Sequence, residues 1–123
     1  MIRQMTPLMN NLTSQEAAAL QAYATMLRTR FKDQLVEVLL FGSKARGDIH
    51  PGSDIDVLVL LAKPDAQALS DARAFGFDVL LTHDIFLSIR VMSQQQWQEL
   101  AAMDSLFYRN VTKDGLSLLP ALA

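Results

Sequence analysis

Two aspartates separated by one residue, Asp54 and Asp56, stand where the apolar run Val57–Ala62 begins. Side chains along a strand alternate between faces, so both carboxylates are expected to point the same way, with Cα atoms roughly 6.5–7 Å apart. Ionised carboxylates so close repel unless a cation sits between them. Mg²⁺ fits that need: it is hard, prefers oxygen, and is usually held by one or two carboxylates together with substrate phosphates. The pair therefore points to a metal–nucleotide site. Its other half lies just upstream. Gly42 and Ser43 directly follow the apolar stretch "QLVEVLLF". A glycine at a strand exit lets backbone N–H groups approach an anion, and the serine hydroxyl adds a donor. A helical turn opening at "SKARG" would add a favourable dipole. Arg46 can fork onto phosphate oxygens. Its bland alternative is a salt bridge to Asp48 or Asp54. Lys44 reads as a solvated lysine, and Gly47 and Gly52 as turn formers. Ser53 has a bland reading as a cap of the loop. His50 and His83 read as loop residues, since two isolated histidines do not make a metal site.

The elements that must hold these residues can be read in order. "LTSQEAAALQAYATMLRTRF" opens with a capping box, Thr13 and Glu16, and carries Leu20, Ala24, Leu27 and Phe31 at helical spacing. "QLVEVLLF" is a strand broken by Gly42. "DIDVLVLL" is a second strand, too continuously apolar to keep one face in water. Pro64 and Asp65 end it. "DAQALSDARAFGFDVLL" follows as a helix with Leu69, Ala72, Gly76 and Val79 on one stripe. "DIFLSIRVM" alternates and is expected to form a third strand. Ser93 caps a short helix, "QQQWQEL", and Asp104 is expected to cap a last one that Gly115 stops. Trp97, Phe107 and Tyr108 read as core or helix-packing residues. An exposed aromatic cluster there would instead mark a partner surface. Helix, strand, strand, helix, strand, helix, helix makes an α/β fold, a small mixed sheet with helices packed against it.

The 123 residues fit one domain, with a core over about residues 13–93 and C-terminal helices over about 94–115. Half are hydrophobic, enough to bury a core, and net charge is −2. That balance argues against a general nucleic-acid binder, which needs clustered Lys and Arg. The absence of cysteine excludes disulfides, thiolate metal sites and cysteine nucleophiles. Met1–Asn10 lacks the apolar core of a signal peptide, and no run is long enough to span a membrane. A soluble, cytoplasmic protein is expected.

"GSKARGDIHPGSDIDV", Gly42–Val57, resembles the signature of the minimal nucleotidyltransferases of the polymerase-β superfamily. That signature is Gly-Ser, then Ala-Arg-Gly, a short spacer, and Ser-Asp-Ile-Asp before an apolar strand. The resemblance implies the polymerase-β-like nucleotidyltransferase fold. It places the β- and γ-phosphates of ATP on Gly42 and Ser43, with Arg46 and Ser53 in the nucleotide-binding set. It makes Asp54 and Asp56 the catalytic carboxylates that bind Mg²⁺. An acceptor hydroxyl would attack the α-phosphate in line and release pyrophosphate. Two ions about 3.5–4 Å apart would stabilise the attacking and leaving oxygens. The family's third carboxylate comes from the third strand. In "HDIFLSIRVMS" the register puts that position near Phe86 or Ser88, and neither is acidic. Asp84 is the remaining candidate, on the same face but earlier.

Short stand-alone members of this family often accompany a small helical HEPN protein, an RNase-like toxin. They serve as its antitoxin, and some transfer AMP to a tyrosine of that partner. The stretch "SQQQWQEL…DSLFYRNV" resembles the tail of such chains. The function expected on this resemblance is Mg²⁺-dependent transfer of AMP to a protein hydroxyl of a HEPN-type toxin. A second reading is an antitoxin with a weak or inactive site that acts by contact. A third is a small-molecule nucleotidyltransferase, although those generally carry a further helical domain. The acidic net charge argues against a long nucleic-acid acceptor.

Overall fold

The computed structural model describes residues 3–4, 12–42 and 54–119. Helix α1 spans Ser14–Phe31. Its capping box forms as the sequence predicts: Glu16 N–H donates to Thr13 Oγ1 at 3.0 Å, and Thr13 N–H donates to Glu16 Oε1 at 2.9 Å. A 3₁₀ turn, Lys32–Gln34, leads into strand β2, Leu35–Phe41. Strand β3 is Ile55–Leu61 and helix α2 is Ala66–His83. Strand β4, Leu87–Ser93, is followed by α3, Gln94–Ala102, and α4, Leu106–Asp114. Two further two-residue strands, β1 (Arg3–Gln4) and β5 (Leu116–Ser117), complete the described sheet.

That sheet has the order β1-β5-β2-β3-β4. Strands β2 and β3 pair antiparallel, and β3 and β4 pair parallel, so the sheet is mixed as expected. Parallel neighbours need a long crossover, and α2 provides it. The strand β3 has both faces covered. Ile55, Val57, Val59 and Leu61 join the larger core beneath α1 and α2. Leu58 and Leu60 join a smaller cluster with Leu39 and Val111, closed by Trp97 and Phe107 of α3 and α4. The unbroken apolar sequence of β3 follows from this double burial. Its burial also makes β3 the stiffest place available for a side chain at its mouth.

On α1, the predicted stripe Leu20, Ala24, Leu27 and Phe31 is buried, together with Ala19 and Tyr23. Tyr23 is fully enclosed, and its hydroxyl donates to the Ala72 carbonyl on α2 at 2.8 Å. Outside the core, Arg30 Nε donates to Asp71 Oδ2 at 2.9 Å, tying the same two helices, and Gln67 of α2 donates to Asp71 Oδ1 at 2.7 Å, holding that carboxylate in place. On α2, Ala72, Gly76 and Val79 are buried as predicted, but Ala68 rather than Leu69 fills the first core position. The Asp65 cap sets that phase, accepting from Ala68 N–H at 2.8 Å.

Three expectations need correction. The third strand starts at Leu87, not Asp84, because α2 runs on through His83 and Asp84 is its left-handed C-cap, φ 55°. His83 therefore lies in the last turn of a helix, not in a loop. The cap of α4 is Ser105, which accepts from Tyr108 N–H at 3.0 Å, while Asp104 sits before it at φ 49°. The short strands β1 and β5 carry no pattern long enough to read in the sequence. No helix among the described residues is long and apolar enough to cross a membrane.

Candidate active site

The site is built where β2 ends and β3 begins. Phe41, the last residue of β2, pairs with Asp56. The chain then leaves the sheet through Gly42 at φ 77°. A side chain is strained in that region of backbone space. Space gives a second reason for glycine: a Cβ on residue 42 would overlap the Oδ2 of Asp56. The backbone of residue 42 thus lies close against the carboxylate, and a side chain there would have to displace it.

Asp56 lies within β3 and is half-buried, while Asp54 is exposed and one residue outside the strand. Strict alternation therefore applies to Asp56, Leu58 and Leu60, and Asp54 stands just outside it. That face carries the smaller cluster. Phe41 meets Phe107 edge-on at 5.6 Å between ring centroids, Trp97 meets Phe107 at 6.4 Å, and Trp97 meets Tyr108 at 4.9 Å. The guanidinium of Arg90 lies 4.9 Å above the Phe107 ring. Trp97 and Phe107 are thus packing residues, as one sequence reading had it, and they brace the sheet beside Asp56.

The parallel register places Ser88 opposite Asp56, and Leu87 opposite Ile55. Phe86 precedes β4 and is 60% exposed. Of the two positions that the resemblance offers for a third acid, Ser88 is the one opposite Asp56. Asp84 stands off the strand at the end of α2. Among the described residues no three His, Cys, Asp or Glu side chains gather as a metal-binding group, so Asp84 does not join Asp54 and Asp56 in one. Two oxygen-rich carboxylates at the mouth of a stiff strand still fit a hard cation whose remaining ligands come from a substrate. The phosphate-binding candidates Ser43, Arg46 and Ser53, with Lys44, Gly47, Asp48, His50 and Gly52, lie outside the described residues.

Comparison with known proteins bears on this arrangement. The profile of the nucleotidyltransferase domain family matches residues 21–113. A candidate protein adenylyltransferase of Methanocaldococcus jannaschii is 27% identical over 100 residues, covering 81% of this chain and 94% of that protein. A second one from the same organism is 54% identical over 63 residues, covering 50% of this chain and 64% of its own length. Among solved structures, a chain of a toxin–antitoxin complex with AMP-PNP superposes with a TM-score of 0.51 at 21% identity, over 80% of this chain and 71% of that one. A variant of the toxin–antitoxin complex MntA–HpeT, with two aspartates changed to glutamate, gives 0.50 at 19% identity over the same shares. These last two likenesses concern the fold. The family match runs from α1 through α4, taking in the Gly42 turn and both carboxylates, and the chain belongs to the nucleotidyltransferase domain family.

Proposed function

We propose that this nucleotidyltransferase takes AMP from ATP and attaches it to a hydroxyl of a protein partner, a HEPN-type toxin, and so acts as that toxin's antitoxin. The observation that carries the reading is the contact between left-handed Gly42 and the Asp56 carboxylate. The residue that opens the phosphate-binding turn touches a carboxylate of the metal pair. Gly42 and Ser43 would receive the β- and γ-phosphates, with Arg46 and Ser53 beside them. Asp54 and Asp56 would hold Mg²⁺, which when bound supplies positive charge against the phosphate oxygens. Burial of β3 on both faces keeps Asp56 in place and so lowers the cost of ordering the site at the moment of reaction.

In the transfer, the acceptor oxygen bonds to the α-phosphorus, the bond to the β-phosphate oxygen breaks, and pyrophosphate leaves. The acceptor's proton needs a base. The relatives named as adenylyltransferases support the choice of AMP and of a protein acceptor. The fold shared with toxin–antitoxin complexes, one of them with AMP-PNP, supports a toxin partner and an adenine nucleotide. In the variant complex the two changed aspartates are one residue apart, the spacing of Asp54 and Asp56.

A second reading is favoured by Ser88, which offers no carboxylate opposite Asp56. There the chain neutralises its partner by contact alone. One experiment separates the two: incubation with α-labelled ATP, Mg²⁺ and the HEPN-type product of the neighbouring gene, beside an Asp54→Asn/Asp56→Asn control. Label reaching the partner with the wild type only supports transfer. Neutralisation by both proteins with no label from either assigns the contact mechanism.

A further inference from the structure

Helix α2 and strand β4 form one shoulder of the molecule. β4 is an edge strand, so half of its backbone groups face away from the described sheet. Beside it, Arg73, Phe77 and Leu80 recur at spacings of four and three residues, a single helical stripe, and the C-cap Asp84 follows four residues after Leu80, just past the helix end. Phe77 is 51% exposed and Leu80 36%. With Phe86, Leu87 and Arg73 they line a groove of about 330 Å³ between helix and strand. Among the described residues neither Arg73 nor Asp84 makes an ion pair.

The stripe reads cation, apolar, apolar, anion. Laid antiparallel on itself, it sets Arg73 against Asp84 of a second copy and Phe77 against that copy's Leu80. All four contacts share one centre. We infer that this shoulder joins two copies of the chain about a two-fold axis, each β4 extending the other's sheet.

The strand agrees with the helix. Gly76 packs directly on Ile89, and a three-residue connection makes α2 and β4 run in opposite directions. The helical centre, between Phe77 and Leu80, lies about 4 Å past Gly76 at 1.5 Å per residue. A step of about 3.3 Å back along the strand from Ile89 reaches Ser88. A two-fold axis at Ser88 pairs Leu87 with Ile89 of the second copy. It also pairs Phe86 with Arg90 of the second copy, a cation beside an aromatic ring. A register centred on Arg90 would oppose two arginines. Self-complementary charge at matched positions is the property of an isologous interface, and it singles out a second copy as the occupant.

Sedimentation velocity across a concentration series tests this, with circular dichroism to verify folding. The wild type is expected to form a dimer, and Phe77→Asp, at an exposed position, a monomer. Arg73→Asp and Asp84→Lys each leave like charges opposed and should weaken self-association about tenfold. Mixing the two variants restores both ion pairs and should recover the dimer. Ser88→Cys, the sole cysteine of its chain, should cross-link under mild oxidation, while Thr25→Cys on α1 should not. A wild type that stays monomeric throughout overturns the inference. So does a dimer that Phe77→Asp and both charge variants leave intact, or a mixture no tighter than its components.

Discussion

Ser88 faces Asp56 across the parallel β3–β4 pair. Asp56 lies on β3, and Ser88 on the neighbouring edge strand of the described sheet, where under the proposed function a further carboxylate would share a cation. Substituting Ser88→Asp should therefore install the absent acid. Under the transfer reading the rate of label incorporation rises, on the order of 10²-fold for a positioned base. The added carboxylate also crowds Asp56, so Mg²⁺ should raise the melting temperature of the variant more than that of the wild type. Unchanged incorporation together with an unchanged Mg²⁺ response would show that β4 does not border the reacting atoms.

Gly42→Ala strains a left-handed backbone by about 1–2 kcal/mol. It also drives a methyl group into the Asp56 carboxylate. We expect a modest loss of stability and a much larger loss of ATP binding, read by calorimetric titration with Mg²⁺ present. A loss of stability with ATP affinity intact would separate the turn from the nucleotide.

The Tyr23 hydroxyl is buried between α1 and α2, and burial pushes its pKa above the ordinary value of 10.0. The unfolded chain releases that proton more readily than the folded one. Its contribution is therefore complete below pH 10 and is lost as pH rises toward the higher folded value. Tyr23→Phe should cost about 1 kcal/mol at pH 7 for the lost hydrogen bond to Ala72. It should also flatten the fall in stability above pH 10, measured by urea unfolding.

Leu58 is fully buried two residues beyond Asp56, on the face braced by α3 and α4. Leu58→Ala should cost about 2–5 kcal/mol. Since the same face carries the carboxylate, ATP affinity should fall along with the melting temperature, and Leu60→Ala should follow the same trend more weakly because it lies further from the mouth.

Much of the fold was legible because its signals are local. The Thr13 and Ser93 caps, the α1 stripe and the doubly buried β3 each follow from a few neighbouring residues. What escaped was set from a distance. The strand expected from Asp84 was shortened because α2 continues to His83, and a left-handed aspartate then ends it more readily than most residues can. The strands β1 and β5 are two residues each and exist only through their neighbours. In the site, the pairing of Phe41 with Asp56 and the left-handed turn after it explain why glycine suits position 42, a reason the sequence alone does not contain. The register with Ser88 likewise narrows two sequence candidates to one facing residue.

The far edge of the sheet joins residues from opposite ends of the chain, with Arg3 beside Leu116 and Gln4 beside Ser117. Closing so long a segment carries the largest entropy loss of any pairing in the sheet, and only a two-residue ladder offsets it. The strands β2 and β3, by contrast, lie close in sequence and share a long ladder. Amide hydrogen exchange should therefore begin at β1 and reach β3 last, so that the N-terminal strand peels away while the carboxylate-bearing strand is still folded.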